Sequence, residues 1–299
     1  MNWLKIKYSK KIRYNKRSAK KLGWAPFWFR SHDFDGFLIE NIKAFQRDHG
    51  LVSDGLCGPA TYRLAYTELE SRVGNPPLDE EPSNFILCDS RKVSIDWDKV
   101  RIDPIKDGCY KSITSTRKPT MVVTHWDATL SANSCKNVLE KKGISTHFVI
   151  DNDGTIVQLL DTNHIGWHAG IRAVNNASIG IDFSNAVYEK YNKTYEKRGF
   201  GLRPVVSGWR VHGRKIKPFL GSYPVQLEAY KALLKALCSH HNIELECPLN
   251  EDGSLNTSVD KDASKGKFKG VVNHYNLTKK KWDTLGLELD KIMKELKNA

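Results

Sequence analysis

The chain has 299 residues, room for about two domains, and its apolar share of 40% supports a packed core rather than disorder. No apolar run approaches the roughly 18–20 residues that span a bilayer, and charges interrupt MNWLKIKYSKK where a signal peptide needs an apolar segment. No transmembrane segment and no signal peptide are therefore expected. The net charge of +13 is concentrated at the start, where the first 21 residues carry nine Lys or Arg and no Asp or Glu, an arm that either favours polyanions or is simply solvated.

In chain order, the basic arm is followed by the aromatic cluster WAPFWF (Trp24 to Phe29). Leu38, Ile39, Ile42 and Phe45 then recur at helical spacing, Gly50 ends that helix, Asp54-Gly55 makes a turn, and Thr61 is placed to cap a second helix running to about Glu70. Residues 1–73 thus read as a basic arm and a small helical domain. The Pro-rich, acidic GNPPLDEEP lies in a linker at 74–84, and residues 85–299 form a second domain.

In that second domain TMVVTHW, THFVID, TIVQLL and SIGIDFS read as strands, the middle two forming a hairpin about Asn152-Asp153-Gly154. Ser131 caps a helix that stops at Gly143, and Leu227, Tyr230, Leu233, Leu234 and Leu237 mark an amphipathic helix from about Gln226 to His241. The polar stretch 250–266 reads as a loop. This order gives an α/β fold, a central mixed β-sheet flanked by helices, preceded by a small all-α domain. Six cysteines without a CxxC pair or tight spacing read as reduced thiols.

His125 closes an apolar strand, a position from which a rigid scaffold presents a ligand, although a lone histidine there is more often structural. In VVNHYNLTKKKWDT, His274 again follows an apolar pair and Asp283 comes nine residues later, near enough in a looped segment to meet one ion. Two imidazoles and a carboxylate with an open fourth position are the ligand set of a catalytic zinc; structural zinc prefers four closed, thiolate-rich ligands.

Five stretches in register, VVTHWDA, THFVIDNDGTIVQ, GWHAG, SIGIDFSNA and HYNLTKKKWD, resemble the zinc N-acetylmuramoyl-L-alanine amidases related to peptidoglycan-recognition proteins and amidase-type phage lysozymes. The resemblance implies that His125, His274 and Asp283 bind Zn2+, that Lys281 stands beside the oxyanion formed on the attacked amide, and that Asp182 is the general base where many members have Glu. Thr146 occupies the place of a tyrosine used by other members, which shifts weight onto Asp182. Thr146, His168 and Trp167 are assigned to the substrate side, His168 as a donor to a peptide or lactyl oxygen and Trp167 either against the sugar or in the core. His147 is expected to fix the sheet, and His240-His241 to cap a helix end.

IKAFQRDHGLVSDGLCGPAT is similar to the short helical peptidoglycan-binding domain of many wall hydrolases. The partners implied are peptidoglycan and, through the basic arm, anionic envelope polymers; no nucleic-acid motif accompanies the arm. The resulting expectation is a phage endolysin held in the host cytoplasm until the membrane is breached, then acting on the cell wall. A bacterial recycling or remodelling amidase and a non-catalytic peptidoglycan receptor are the alternatives.

Overall fold

The structure, a computed structural model, describes residues 8–72, 84–115 and 117–298. The chain divides into two compact units, Met1–Pro76 and Pro77–Ala299. The expected linker at 74–84 lies outside the described residues except for Asn84.

The described part of the basic arm is not a solvated extension. It forms helix α1 (Ser9–Leu22), which buries Ile12, Asn15, Ala19 and Leu22 on one face and turns Lys10, Arg13, Lys16, Arg17 and Lys20 outward. Asn15 explains why this face is hard to see in the sequence: it is polar yet fully buried, its Nδ2 donating to Gly55 O (3.0 Å) and its Oδ1 accepting from Cys57 N (2.8 Å). Helix α2 (Gly36–Asp48) is capped by Asp35, and α3 (Pro59–Arg72) begins two residues before Thr61. Thr61 therefore lies inside the first turn and accepts from Gln46 Nε2 at 3.1 Å. The same amide donates to Asp54 Oδ1 and Leu56 O, while Gln46 Oε1 accepts from Gly55 N. The FQ…DG…T signature is thus largely one buried hydrogen-bond knot that folds the loop between α2 and α3. Phe45, at the helical spacing of Leu38, Ile39 and Ile42, is half-buried and stacks on His49.

The second unit opens with a hairpin, β1 (Phe85–Cys88) and β2 (Arg91–Ser94). Its central sheet contains β3 (Val100–Ile102), β4 (Met121–Trp126), β5 (Phe148–Ile150), β6 (Ile156–Gln158), β7 (Ser178–Phe183) and β8 (Gly270–Asn273), in the order β8-β4-β7-β5-β6-β3. Only the β5–β6 hairpin is antiparallel, so the sheet is mixed, as expected.

Strands buried on both faces read as near-continuous apolar runs, and MVVTHW and SIGIDF do. One face, with Val122, Trp126, Ile179, Ile181 and Phe183, packs against Tyr230, Leu233, Leu234 and Leu237 of a long helix, α6 (Pro224–His241). On the other face α4 (Ala132–Lys142) packs through Cys135 and Leu139 on Val149 and Val157, and α5 (Arg172–Ala177) through Val174 beside Met121, Val123 and Val272. Ser131 and Gly143 cap α4 at the expected positions, and a closing helix, α7 (Leu289–Asn298), buries Leu289, Ile292 and Met293. The six cysteines are buried free thiols.

Candidate active site

His125 is the fifth residue of β4, and His274 follows β8 directly. These strands are parallel neighbours with Asn273 opposite Thr124, so the next residue on each, His274 and His125, arrives at the same level of the sheet. Asp283 returns to this point because Tyr275 N donates to its carbonyl oxygen at 3.0 Å, pinning the lysine-rich loop back on the strand end.

The donor atoms form a triangle. His125 Nδ1 is 2.9 Å from His274 Nδ1, which is 2.8 Å from Asp283 Oδ2; the third edge, His125 Nδ1 to Asp283 Oδ2, is 3.6 Å. Ligands about 2.0–2.2 Å from a tetrahedral ion lie roughly 3.3–3.6 Å apart, so modest spreading of this triangle accommodates zinc. The protonation states fit as well. Burial lowers His274 to about 4 despite the neighbouring Asp283, leaving a neutral imidazole at pH 7. Burial alone would raise Asp283, but His274, His125 and Lys281 outweigh it and hold the carboxyl well below the usual range.

Behind His125 runs a chain of hydrogen bonds. With Nδ1 turned to the triangle, Nε2–H of His125 donates to His168 Nδ1 (3.0 Å), His168 Nε2–H donates to Ser178 Oγ (3.2 Å), and Ser178 donates to Val174 O (2.6 Å). Each donor meets one acceptor, so the chain has a single consistent tautomer assignment and leaves the lone pair of His125 Nδ1 toward the triangle. This revises the substrate-donor reading of His168, since both its ring nitrogens are taken by protein groups. Gly180 makes room for the arrangement: a Cβ there would lie 2.7 Å from His168 Cγ and 2.8 Å from Thr146 Oγ1.

Thr146 is fully buried and its hydroxyl has no hydrogen-bond partner among the described residues, so it presents no surface on the substrate side where it was assigned. Trp167 is 37% exposed, which takes it out of the core. Lys281 is exposed and acts on His274 and Asp283 through its charge. His147 ties strands together as expected: Nδ1 accepts from Gly180 N (3.0 Å) and Nε2–H donates to His164 O (3.0 Å). Beside it the buried Arg117 guanidinium donates to His164 O and Ser178 O, a role its charge conceals in the sequence.

Asp182 sits on β7 directly opposite His125 on β4, and is 7% exposed. Facing it electrostatically is Asp127, a residue sequence reasoning passed over. Asp127 accepts from Thr129 N, Thr129 Oγ1 and Asn185 N, yet burial pushes its carboxyl up to about 8, with the charge of Asp182 adding to the rise.

Residues 115–284 match the family described as N-acetylmuramoyl-L-alanine amidase. The chain belongs to that family. Amidases of this family are generally zinc-dependent, and the triangle above is a group of His and Asp side chains that could hold a metal ion. Among solved structures, the chain is similar to the catalytic domain of XlyA (20% identity, 66% of this chain and 98% of that one, TM-score 0.40). It is also similar to the endolysin amidase LysCS from Clostridium intestinale (17%, 67% and 95%, 0.40) and to the Staphylococcus aureus hydrolase AmiA in complex with its ligand (12%, 66% and 82%, 0.41). A search of curated proteins found no match.

Proposed function

We propose that this amidase is zinc-dependent and cleaves the amide between the lactyl group of N-acetylmuramic acid and L-alanine of the stem peptide. In this reading His125, His274 and Asp283 are its ligands. The observation that carries the reading is the donor triangle, in which two imidazoles and one carboxylate converge with edges of 2.8–3.6 Å. A zinc ion held there would activate water near neutral pH and polarise the scissile carbonyl.

The chain's own residues supply the rest. Asp182, one strand from His125, accepts the proton of the attacking water and returns it to the leaving amine. A protonated Asp127 spares Asp182 a second negative charge beside it. Lys281 offsets negative charge developing on the carbonyl oxygen, and Trp167 presents an apolar surface to the glycan. The N-terminal unit, residues 1–73, serves as a wall-binding module, with the outward cations of α1 facing anionic envelope polymers. We further assign the protein the lytic role of an endolysin, acting on the wall from the host cytoplasm once the membrane is breached. No helix among the described residues is long and apolar enough to cross a membrane.

Digestion of intact sacculi followed by mass spectrometry tests this reading. The expected product is stem peptide with a new free L-alanine amine. Turnover of soluble wall fragments only would point to a recycling enzyme, and binding without release to a receptor.

A further inference from the structure

A second cluster of metal-ligating side chains lies away from the triangle. Cys88 ends β1, and His240 and His241 end α6; one donor atom from each lies within 4.8 Å of the others. Cys88 and His240 are 152 residues apart in sequence, and the cluster joins the hairpin that opens this unit to the C-terminal end of its longest helix. The histidines do not simply cap that helix, as their sequence position suggests. His240 Nε2 is 3.2 Å from Asp89 Oδ2, His241 Nε2 is 2.9 Å from Thr162 Oγ1, and the two rings stand at 89°.

Asp89 adjoins this cluster through His240. Its Oδ1 is buried without a hydrogen-bond partner among the described residues, while its Oδ2 stands from His240 at close to the roughly 3.3–3.6 Å that separates two ligands of one tetrahedral ion. Ser90 N donates to Asp161 Oδ2 (2.9 Å), which holds the β1–β2 turn in place, so Cys88 and Asp89 are presented by a fixed hairpin.

We infer that Cys88, Asp89, His240 and His241 form a second, closed zinc site that staples the β1–β2 hairpin to the end of α6. A thiolate, a carboxylate and two imidazoles fill four positions and leave none for water, so this site is structural where the triangle is open. The choice of ion follows from the donors: thiolate with imidazole favours zinc over magnesium or calcium, which take oxygen. One thiolate and one carboxylate neutralise the dication, which makes the site compatible with Arg117, Lys118 and Lys269 lining the same open cleft. The carbonyls at the end of α6 add partial negative charge, and the cleft gives the ion an entry path. On binding, the Cys88 thiol releases its proton to solvent and the sulfur forms the bond to zinc.

Cobalt substitution of the full-length protein tests this independently of the catalytic reading, because only this site contains a thiolate. The stripped protein titrated with Co2+ is expected to bind two equivalents and to develop the near-ultraviolet sulfur-to-cobalt charge-transfer band. Cys88→Ser and Asp89→Asn should each lower the stoichiometry from two to one, Cys88→Ser with loss of the band. Both should keep wall hydrolysis at moderate temperature, with circular dichroism confirming the fold. His274→Ala should also fall to one equivalent yet retain the band. Absence of the band from the wild type, or its persistence in Cys88→Ser, would overturn the inference whatever becomes of the triangle.

Discussion

His125 and Asp182 face each other across adjacent parallel strands, paired in register on β4 and β7. Strands in a sheet are about 4.8 Å apart and paired residues project to the same face, so the sheet itself delivers an imidazole and a carboxylate to one place. A carboxylate so placed can handle a proton without belonging to the donor triangle.

Substituting Asp182→Asn should therefore lower turnover by about 10²–10⁴-fold, the usual range for a general acid–base group, while metal content is unchanged. Stem-peptide release together with elemental analysis of the purified variant checks both halves. Wild-type turnover would remove Asp182 from the mechanism.

The chain from His125 through His168 to Ser178 predicts an effect at a residue with no functional group. In Gly180→Ala the new methyl meets the His168 ring at 2.7 Å and displaces the acceptor that orients His125. Zinc affinity should weaken by about 10–100-fold, the scale for loss of an outer-layer partner. Competition with a chromophoric chelator measures it, and Ser178→Ala should weaken affinity in the same direction.

The two histidines of the triangle were readable because they close apolar strands, and the hairpin because Asn152-Asp153-Gly154 separates two alternating runs. The α6 and α4 boundaries followed from periodicity and caps. What escaped reading shares one cause: polar or charged side chains used inside. Asn15 breaks the apolar stripe of α1, so a helix looked like a basic arm. Arg117 and Arg203 are buried by partners far away in sequence, and the acceptor role of His168 exists only once Ser178 and His125 flank it in space. Asp127 lies two residues from His125, but only burial beside Asp182 makes it stand out.

Arg203 illustrates what such burial is worth. Its guanidinium packs on the rings of both Tyr195 and Tyr223, at 4.4 and 4.3 Å, and donates to Ser184 O, Gly221 O, Gln226 Oε1 and Asn152 Oδ1. Arg203→Ala takes the donor from Asn152 Oδ1, removes one of the donors to Ser184 O, Gly221 O and Gln226 Oε1, and opens a cavity beside the two tyrosines, so it should cost roughly 3–5 kcal/mol, measured by denaturant unfolding. A loss below about 1 kcal/mol, the scale of a surface contact, would contradict the buried clamp.

His147 makes stability pH-dependent. Burial, with Arg117 beside it, holds its imidazole down at about 3, against 6.5 for a free side chain. Between those values the unfolded chain binds a proton that the folded chain refuses, so stability falls as pH drops from about 6.5 toward 3, by about 1.4 kcal/mol per pH unit for this group. His147→Asn keeps an acceptor near Gly180 N but cannot titrate, so its melting temperature should fall less steeply with acid than that of the wild type. Equal slopes would assign the acid sensitivity to other groups.

The most direct test of the central claim is to strip the protein with a chelator, add zinc back in steps, and follow the appearance of L-alanine amines from sacculi by mass spectrometry. The wild type should lose activity on stripping and regain it with zinc, whereas Asp283→Ala should stay inactive at every zinc concentration that saturates the wild type. Full activity in the stripped protein, or in the Asp283→Ala variant, would contradict a zinc centre built from His125, His274 and Asp283.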